Sequence, residues 1–167
     1  MRTQAKQPKF SELRTTKTGT AGEEIVKEIL EQKGYKVYAP TNDSSFPIDF
    51  VVMKEDNAGV NFAGLVDSKC YPRCHSYERT GIDKRDFDVY CGLLKFLPVT
   101  LIFIDGFERM AYALPLALEH SKATFGNGKA WFELDAMTPL CRLTATDLKA
   151  INCYLSPHYV TTKKFFL

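Results

Sequence analysis

The chain has 167 residues, of which 45% are hydrophobic and 25% charged. That is the balance of one soluble globular domain. It argues against wholesale disorder, and against two domains that would each bury little core. The formal net charge is +2, from 22 basic and 20 acidic residues, too small by itself to mark a nucleic-acid partner.

The apolar runs, such as residues 99–104, are far short of the roughly 20 residues that cross a bilayer, and the first nine residues hold no apolar stretch of the secretory kind. No membrane partner and a cytoplasmic location are therefore expected. Residues 1–18 carry Arg2, Lys6, Lys9, Arg14 and Lys17 against Glu12, a net +4. This segment reads either as a solubilising tail or as a basic arm that contacts phosphates, with Lys17 and Arg14 as the contacting residues. The five cysteines stand at 70, 74, 91, 141 and 153. An odd count without dense spacing points to reduced thiols in a cytosol. Cys70, Cys74 and His75 resemble part of a zinc site, but no second pair lies at ribbon spacing, so a structural metal is disfavoured.

The first strong element is a helix over residues 20–33. Thr20 and Glu23 have capping-box spacing, and Ile25, Val26, Ile29 and Leu30 form one apolar stripe. Gly34 closes the helix, and residues 35–38 alternate like a strand. Residues 40–45 are a loop by composition. Strands follow over 48–53 and 62–69, joined by a polar turn, and together they predict an antiparallel hairpin. A helix over 83–96 carries Phe87, Tyr90, Leu94 and Leu97 on one stripe, with Leu93 beside it. Residues 99–105 form an apolar strand expected to be central and buried. Residues 110–114 and 131–134 are further strand candidates. Thr144 and Asp147 open a last amphipathic helix with Leu148, Ile151 and Leu155. This order predicts a mixed α/β sheet flanked by helices.

Polar residues in the hairpin call for an explanation. Asp67 and Lys69 are two apart, so both leave the same face of their strand, and Ser68 points to the other. The turn lies between Asp49 and Asp67, so the start of the first strand faces the end of the second. The two aspartates are then neighbours in space, although 18 residues apart in sequence. Val51, Met53 and Leu65 share their face and look like core. Two close carboxylates repel each other unless one takes a proton or a cation comes between them. Hard divalent cations choose oxygen ligands, and Mg2+ often takes only one or two carboxylates plus phosphate and waters. Lys69 then suits a charge aimed at a phosphate or an attacking water. The set fits metal-assisted phosphodiester hydrolysis, in which the metal polarises the phosphate and generates the hydroxide nucleophile. The plainer alternative is a buried Asp67–Lys69 or Asp49–Lys69 ion pair at the sheet edge.

Pro47-Ile-Asp49 followed by Asp67-Ser-Lys69 resembles the PD-(D/E)xK signature of the restriction-endonuclease-like nuclease superfamily. Gly22-Glu23, then residues 29–35, resemble the first helix of the archaeal Holliday-junction resolvases of that superfamily. The order helix, three strands, helix, strand is similar to its αβββαβ core. The resemblance covers residues 20–105. With the length and the charge distribution, this gives a single nuclease-like domain over 1–167: a basic arm over 1–18, a core over 19–105, and C-terminal β and α additions over 106–167 that the resemblance does not reach. The resemblance also implies Mg2+ as cofactor, with Mn2+ able to substitute.

Carried over residue by residue, Asp49 is the central metal ligand. Asp67 is a second ligand, helped by the Ser68 backbone carbonyl, and Lys69 orients the attacking water. The helix glutamate is Glu23 or Glu24. At about 100° per residue, Glu23 lies about 90° from the centre of the apolar stripe and Glu24 about 170°, which favours Glu23. In the strict signature the proline directly precedes the aspartate. Here Ile48 intervenes, a relaxed form the superfamily tolerates because the proline only shapes strand entry. Lys84, bordering the core face of the next helix, is the expected polar residue there, while Arg85 points away. Arg73 and Arg79, placed in the loop before that helix, are further candidates to hold a DNA backbone. Tyr71 and Tyr77 could stack on bases or simply pack.

The expected function is a Mg-dependent endonuclease acting on DNA, either branched DNA or in a restriction or repair setting. Junction cleavage would require a homodimer with paired sites. Two other classes remain open: a non-cleaving nucleic-acid-binding module on the same fold, and a protein-binding regulator whose Asp/Lys set is structural.

Overall fold

The structure, a computed structural model, describes residues 14–40, 47–70, 78–106 and 108–152. It opens with α1 (Arg14–Gln32), then β1 (Lys36–Tyr38), β2 (Phe50–Asp56), β3 (Gly59–Lys69), β4 (Arg79–Asp83) and α2 (Lys84–Leu93). β5 (Val99–Asp105), β6 (Met110–Pro115), α3 (Leu116–Glu119), β7 (Thr124–Gly126), β8 (Lys129–Glu133), β9 (Thr138–Arg142) and α4 (Ala145–Asn152) follow. The main sheet has the order β1-β2-β3-β5-β6-β9. β3 and β5 run parallel, and the other neighbours are antiparallel. A separate three-stranded antiparallel sheet has the order β4-β8-β7. The architecture is thus the mixed central sheet flanked by helices that the element order predicts.

The main sheet separates two apolar cores. On one face Ile25, Val26, Ile29 and Leu30 of α1 meet Phe50, Val52, Val66, Ile102 and Ile104, with Ile151 of α4 beside them. On the other face Leu65, Leu101 and Phe103 meet Phe87 and Tyr90 of α2, and also Ile82, Ala130 and Phe132 of the small sheet. β5 alternates between the two cores and is buried on both faces except at Thr100. Its apolar run is therefore the spine of the domain. Because β3 and β5 are parallel, the chain must cross over between them. That crossover carries β4 and α2.

Four differences from the sequence expectation concern element ends and burial. First, α1 starts at Arg14, so Thr20 and Glu23 lie inside the helix and form no capping box. Thr18, early in this helix, is buried, in a stretch whose Thr- and Gly-containing sequence has little helical propensity of its own. Arg14 and Lys17 accordingly belong to α1 and not to an arm. Second, Arg79 begins β4 and does not lie in a loop. Third, α2 ends at Leu93, and the following turns bond Leu94 N–H to the Tyr90 carbonyl and Leu97 N–H to that of Leu93. Fourth, Met53 and Val51 are only half-buried. At α4 the predicted cap is present: the Asp147 carboxylate accepts from Thr144 N–H (2.6 Å) and Oγ1 (2.7 Å), and Asp147 N–H donates back to Thr144 Oγ1 (3.1 Å).

β4 pairs with β8 closely enough to require a glycine. A Cβ on Gly81 would stand 2.6 Å from the Ala130 carbonyl oxygen and 2.7 Å from Trp131 Cε3. Gly81→Ala should therefore lower stability in urea unfolding by about 1–3 kcal/mol, the usual cost of overpacking. Gly92→Ala, at a helical position with open space around it, should raise stability by about 0.4–1 kcal/mol.

Candidate active site at the end of the central hairpin

Pairing of Phe50 with Val66 and of Val51 with Leu65 fixes the hairpin register. Continued by one residue, that register sets Asp49 opposite Asp67. Asp67 and Lys69 leave β3 on the α2 side, next to Leu101 and Phe103 of β5. Asp67 is only 3% exposed. A carboxylate so buried needs partners. Its Oδ2 accepts from the Tyr90 hydroxyl at 2.8 Å and from Lys69 Nζ at 2.7 Å. Lys69 Nζ also lies 3.8 Å from Asp86 Oδ2 and 5.6 Å from the centre of the Tyr90 ring.

Asp49 is anchored from β3. Its Oδ2 accepts from Ser68 N–H and from Ser68 Oγ, each at 2.7 Å. Ser68 thus turns its amide and hydroxyl to Asp49, although its strand position predicted a side chain aimed at the other face. Glu23 reaches the same end of the hairpin from α1. Gly22 makes this approach possible, since a Cβ there would stand 3.0 Å from Cys70 Cβ. Glu23 is half-buried and Glu24 exposed.

Electrostatics link these groups. Burial raises the Glu23 carboxyl pKa, the Asp49 charge raises it further, and Lys69 opposes both. Burial pushes Asp67 up to about 7; Lys69 pulls against this, while Asp49 adds to it. Burial, then the Asp67 charge and hydrogen bond, raise the Tyr90 hydroxyl and keep it a proton donor. Glu23, Asp49, Asp67 and Lys69 are thereby gathered around one end of β3.

Of the predicted nucleic-acid contacts, Lys84 and Arg79 have described side-chain surroundings. Lys84 is exposed at the start of α2 and bonds Asp88 at 2.6 Å, which corrects its placement at the core border. The hairpin between β7 and β8 takes that position: Lys84 N–H donates to the Gly128 carbonyl (2.8 Å), and Lys84 Nζ stands 5.6 Å from the Phe125 ring. The Arg79 guanidinium stands 5.0 Å from the Trp131 ring. Arg73, Tyr71, Tyr77, Cys74 and His75 lie outside the described residues. Cys70, Cys91 and Cys141 are free thiols.

Two site residues escaped the sequence reading. Tyr90 was legible only as core, and Asp86 not at all. Their spacing of four on a helix was the available signal, because i and i+4 share a face.

A hard divalent cation suits the donors chemically, since Glu23, Asp49 and Asp67 offer only oxygen. Among the described residues no three His, Cys, Asp or Glu side chains form a ready-made cage.

The fold is shared with Hjc of Archaeoglobus fulgidus, described as a Holliday junction resolvase from an archaeal hyperthermophile. The two structures superpose with a TM-score of 0.52 at 10% sequence identity, over 73% of this chain and 91% of that one. No protein-family model and no curated protein matches the sequence. Among the described residues no helix is long and apolar enough to cross a membrane.

The raised Asp67 pKa has a definite sign for stability. The folded protein holds a proton that the unfolded chain releases between its ordinary pKa of 3.8 and about 7. The stability this provides is complete below that window and is lost as pH rises through it. In denaturant titrations at low divalent cation, the wild type should gain stability relative to Asp67→Asn as pH falls from 8 to 5. Parallel pH profiles would show that Asp67 stays ionised throughout.

Proposed function

We propose that the chain is a metal-dependent endonuclease that hydrolyses phosphodiester bonds of DNA. The observation that carries this reading is the convergence of Glu23, Asp49, Asp67 and Lys69 on the open end of one hairpin. Asp49 and Asp67 would hold Mg2+, or Mn2+ in its place, with Glu23 and the Ser68 carbonyl supporting them. The ion would polarise the phosphate and offset the charge that builds on it. Ser68 fixes the Asp49 carboxylate, and Tyr90 fixes that of Asp67. Lys69 supplies a positive charge beside the scissile phosphate and orients the attacking water. Preorganised charge of this kind is usually a large part of the rate.

Branched DNA is the substrate form to test first, because the neighbour of shared fold is described as a Holliday junction resolvase. Cleavage of a junction in two strands would call for a homodimer. Lys84, Arg79 and Arg73, with Arg14 and Lys17, would hold the backbone. A protein that binds DNA on this fold without cutting it is the second reading, favoured by the close Lys69–Asp67 pair of 2.7 Å.

The test is a Mg2+-dependent cleavage assay on supercoiled plasmid, linear duplex, single strand, flap and four-way junction. Asp49→Ala and Lys69→Ala should each lower the cleavage rate by about 100-fold or more, with DNA binding retained in gel shifts. Binding without cutting by the wild type, with either Mg2+ or Mn2+, would select the second reading. Absence of both would remove nucleic acid from the function.

A further inference from the structure

Two residues along a strand advance about 6.7 Å, and four along a helix about 6 Å. Asp67 and Lys69 on β3 are therefore matched by Tyr90 and Asp86 on α2, with the helix running opposite to the strand. Tyr90 meets Asp67, and Asp86 meets Lys69. The two contacts on Lys69 are unequal. Its Nζ is 2.7 Å from Asp67 and 3.8 Å from Asp86. The Asp67 side chain is 4% exposed and that of Asp86 is 38% exposed. The ammonium thus leans on the buried carboxylate, with a more solvated one standing beside it.

We propose that Asp86 is a second seat for the Lys69 ammonium, a positioning residue that receives the lysine when Asp67 is engaged by a divalent cation. The inference rests on the nuclease reading. Lys69 and a cation would compete for the Asp67 carboxylate, and their like charges repel. Without Asp86, Lys69 must either stay on Asp67 and exclude the cation, or leave the site. With Asp86, Lys69 moves a short way along the helix face and stays charged and close to the reacting phosphate. Asp86 touches no reacting atom in this scheme, and it acts only through Lys69.

The test is a double-mutant cycle on cation binding, which is independent of cleavage. Calorimetric titrations with Ca2+ and Mg2+ would compare wild type, Asp86→Asn, Lys69→Ala and the double variant, each checked by its melting temperature. Asp86→Asn should weaken cation binding about tenfold when Lys69 is present, and less than about twofold when residue 69 is alanine. Lys69→Ala alone should tighten binding, and Asp86→Glu should keep it near the wild-type value. Should Asp86→Asn melt early, Asp86→Ser carries the same comparison. An equal loss in both backgrounds would make Asp86 an ordinary nearby charge and overturn the inference, as would no loss in either, while the nuclease reading stands. A wild type that binds neither ion overturns that reading and the second seat together.

Discussion

A carboxylate buried at the end of an apolar strand is the constraint from which the site follows. Asp67 sits between Leu65 and the core of α2, at 3% exposure. An isolated charge in such a place is too costly to keep. The protein meets the cost with a tyrosine hydroxyl and a lysine ammonium on one oxygen, and with a pKa moved to about 7. Both donors act on Oδ2, so in this state the carboxylate is neutralised either by them or by a proton.

The fold delivers the partners from two sides. β3 and β5 are parallel, so a crossover must pass over the sheet, and α2 is its helical part. This lays Asp86 and Tyr90 against the α2 face of β3. α1 packs on the opposite face through Ile25, Val26, Ile29 and Leu30, and reaches the same strand end at Gly22 and Glu23. The hairpin supplies Asp49 through its register. No single element could bring these groups together. Their meeting point is the margin of the sheet, where β2 begins and β3 ends.

Much of this was legible in the sequence, and what was not has physical reasons. β5 could be read to the residue, because six strongly strand-forming positions, 99–104, follow Pro98, and Asp105 and Gly106 close the run. The hairpin was legible because its turn separates two runs of alternating residues, and that placed Asp49 near Asp67. β4, β7 and β9 were not legible. They are three to five residues long and contain Gly81, Gly126 and Pro139, so their pairing depends on partners distant in sequence. Lys84 was misplaced because the hairpin that closes over the start of α2 is a tertiary contact, visible only once β7 and β8 are in position. Thr20 and Glu23 have the spacing of a cap, yet the helix begins at Arg14 and Thr18 within it is buried; local spacing alone does not show where a helix starts.

A structural ion pair accounts for only part of this cluster. Such a pair matches one carboxylate with one ammonium, and Asp67 with Lys69 would suffice. Here Asp86 also faces Lys69, and the Asp49 charge raises the proton affinity of both Glu23 and Asp67. That accumulation destabilises the folded chain unless something positive joins it. It would also repel a nucleic-acid backbone, whose phosphates carry the same sign. The same four acids become an asset if a divalent cation sits among them, since the ion cancels their repulsion and presents positive charge to a phosphate. Electrostatics thus tie the two requirements together: the mutual repulsion of these acids comes from the charge that would draw a cation in, and a cation among them would let a phosphate approach.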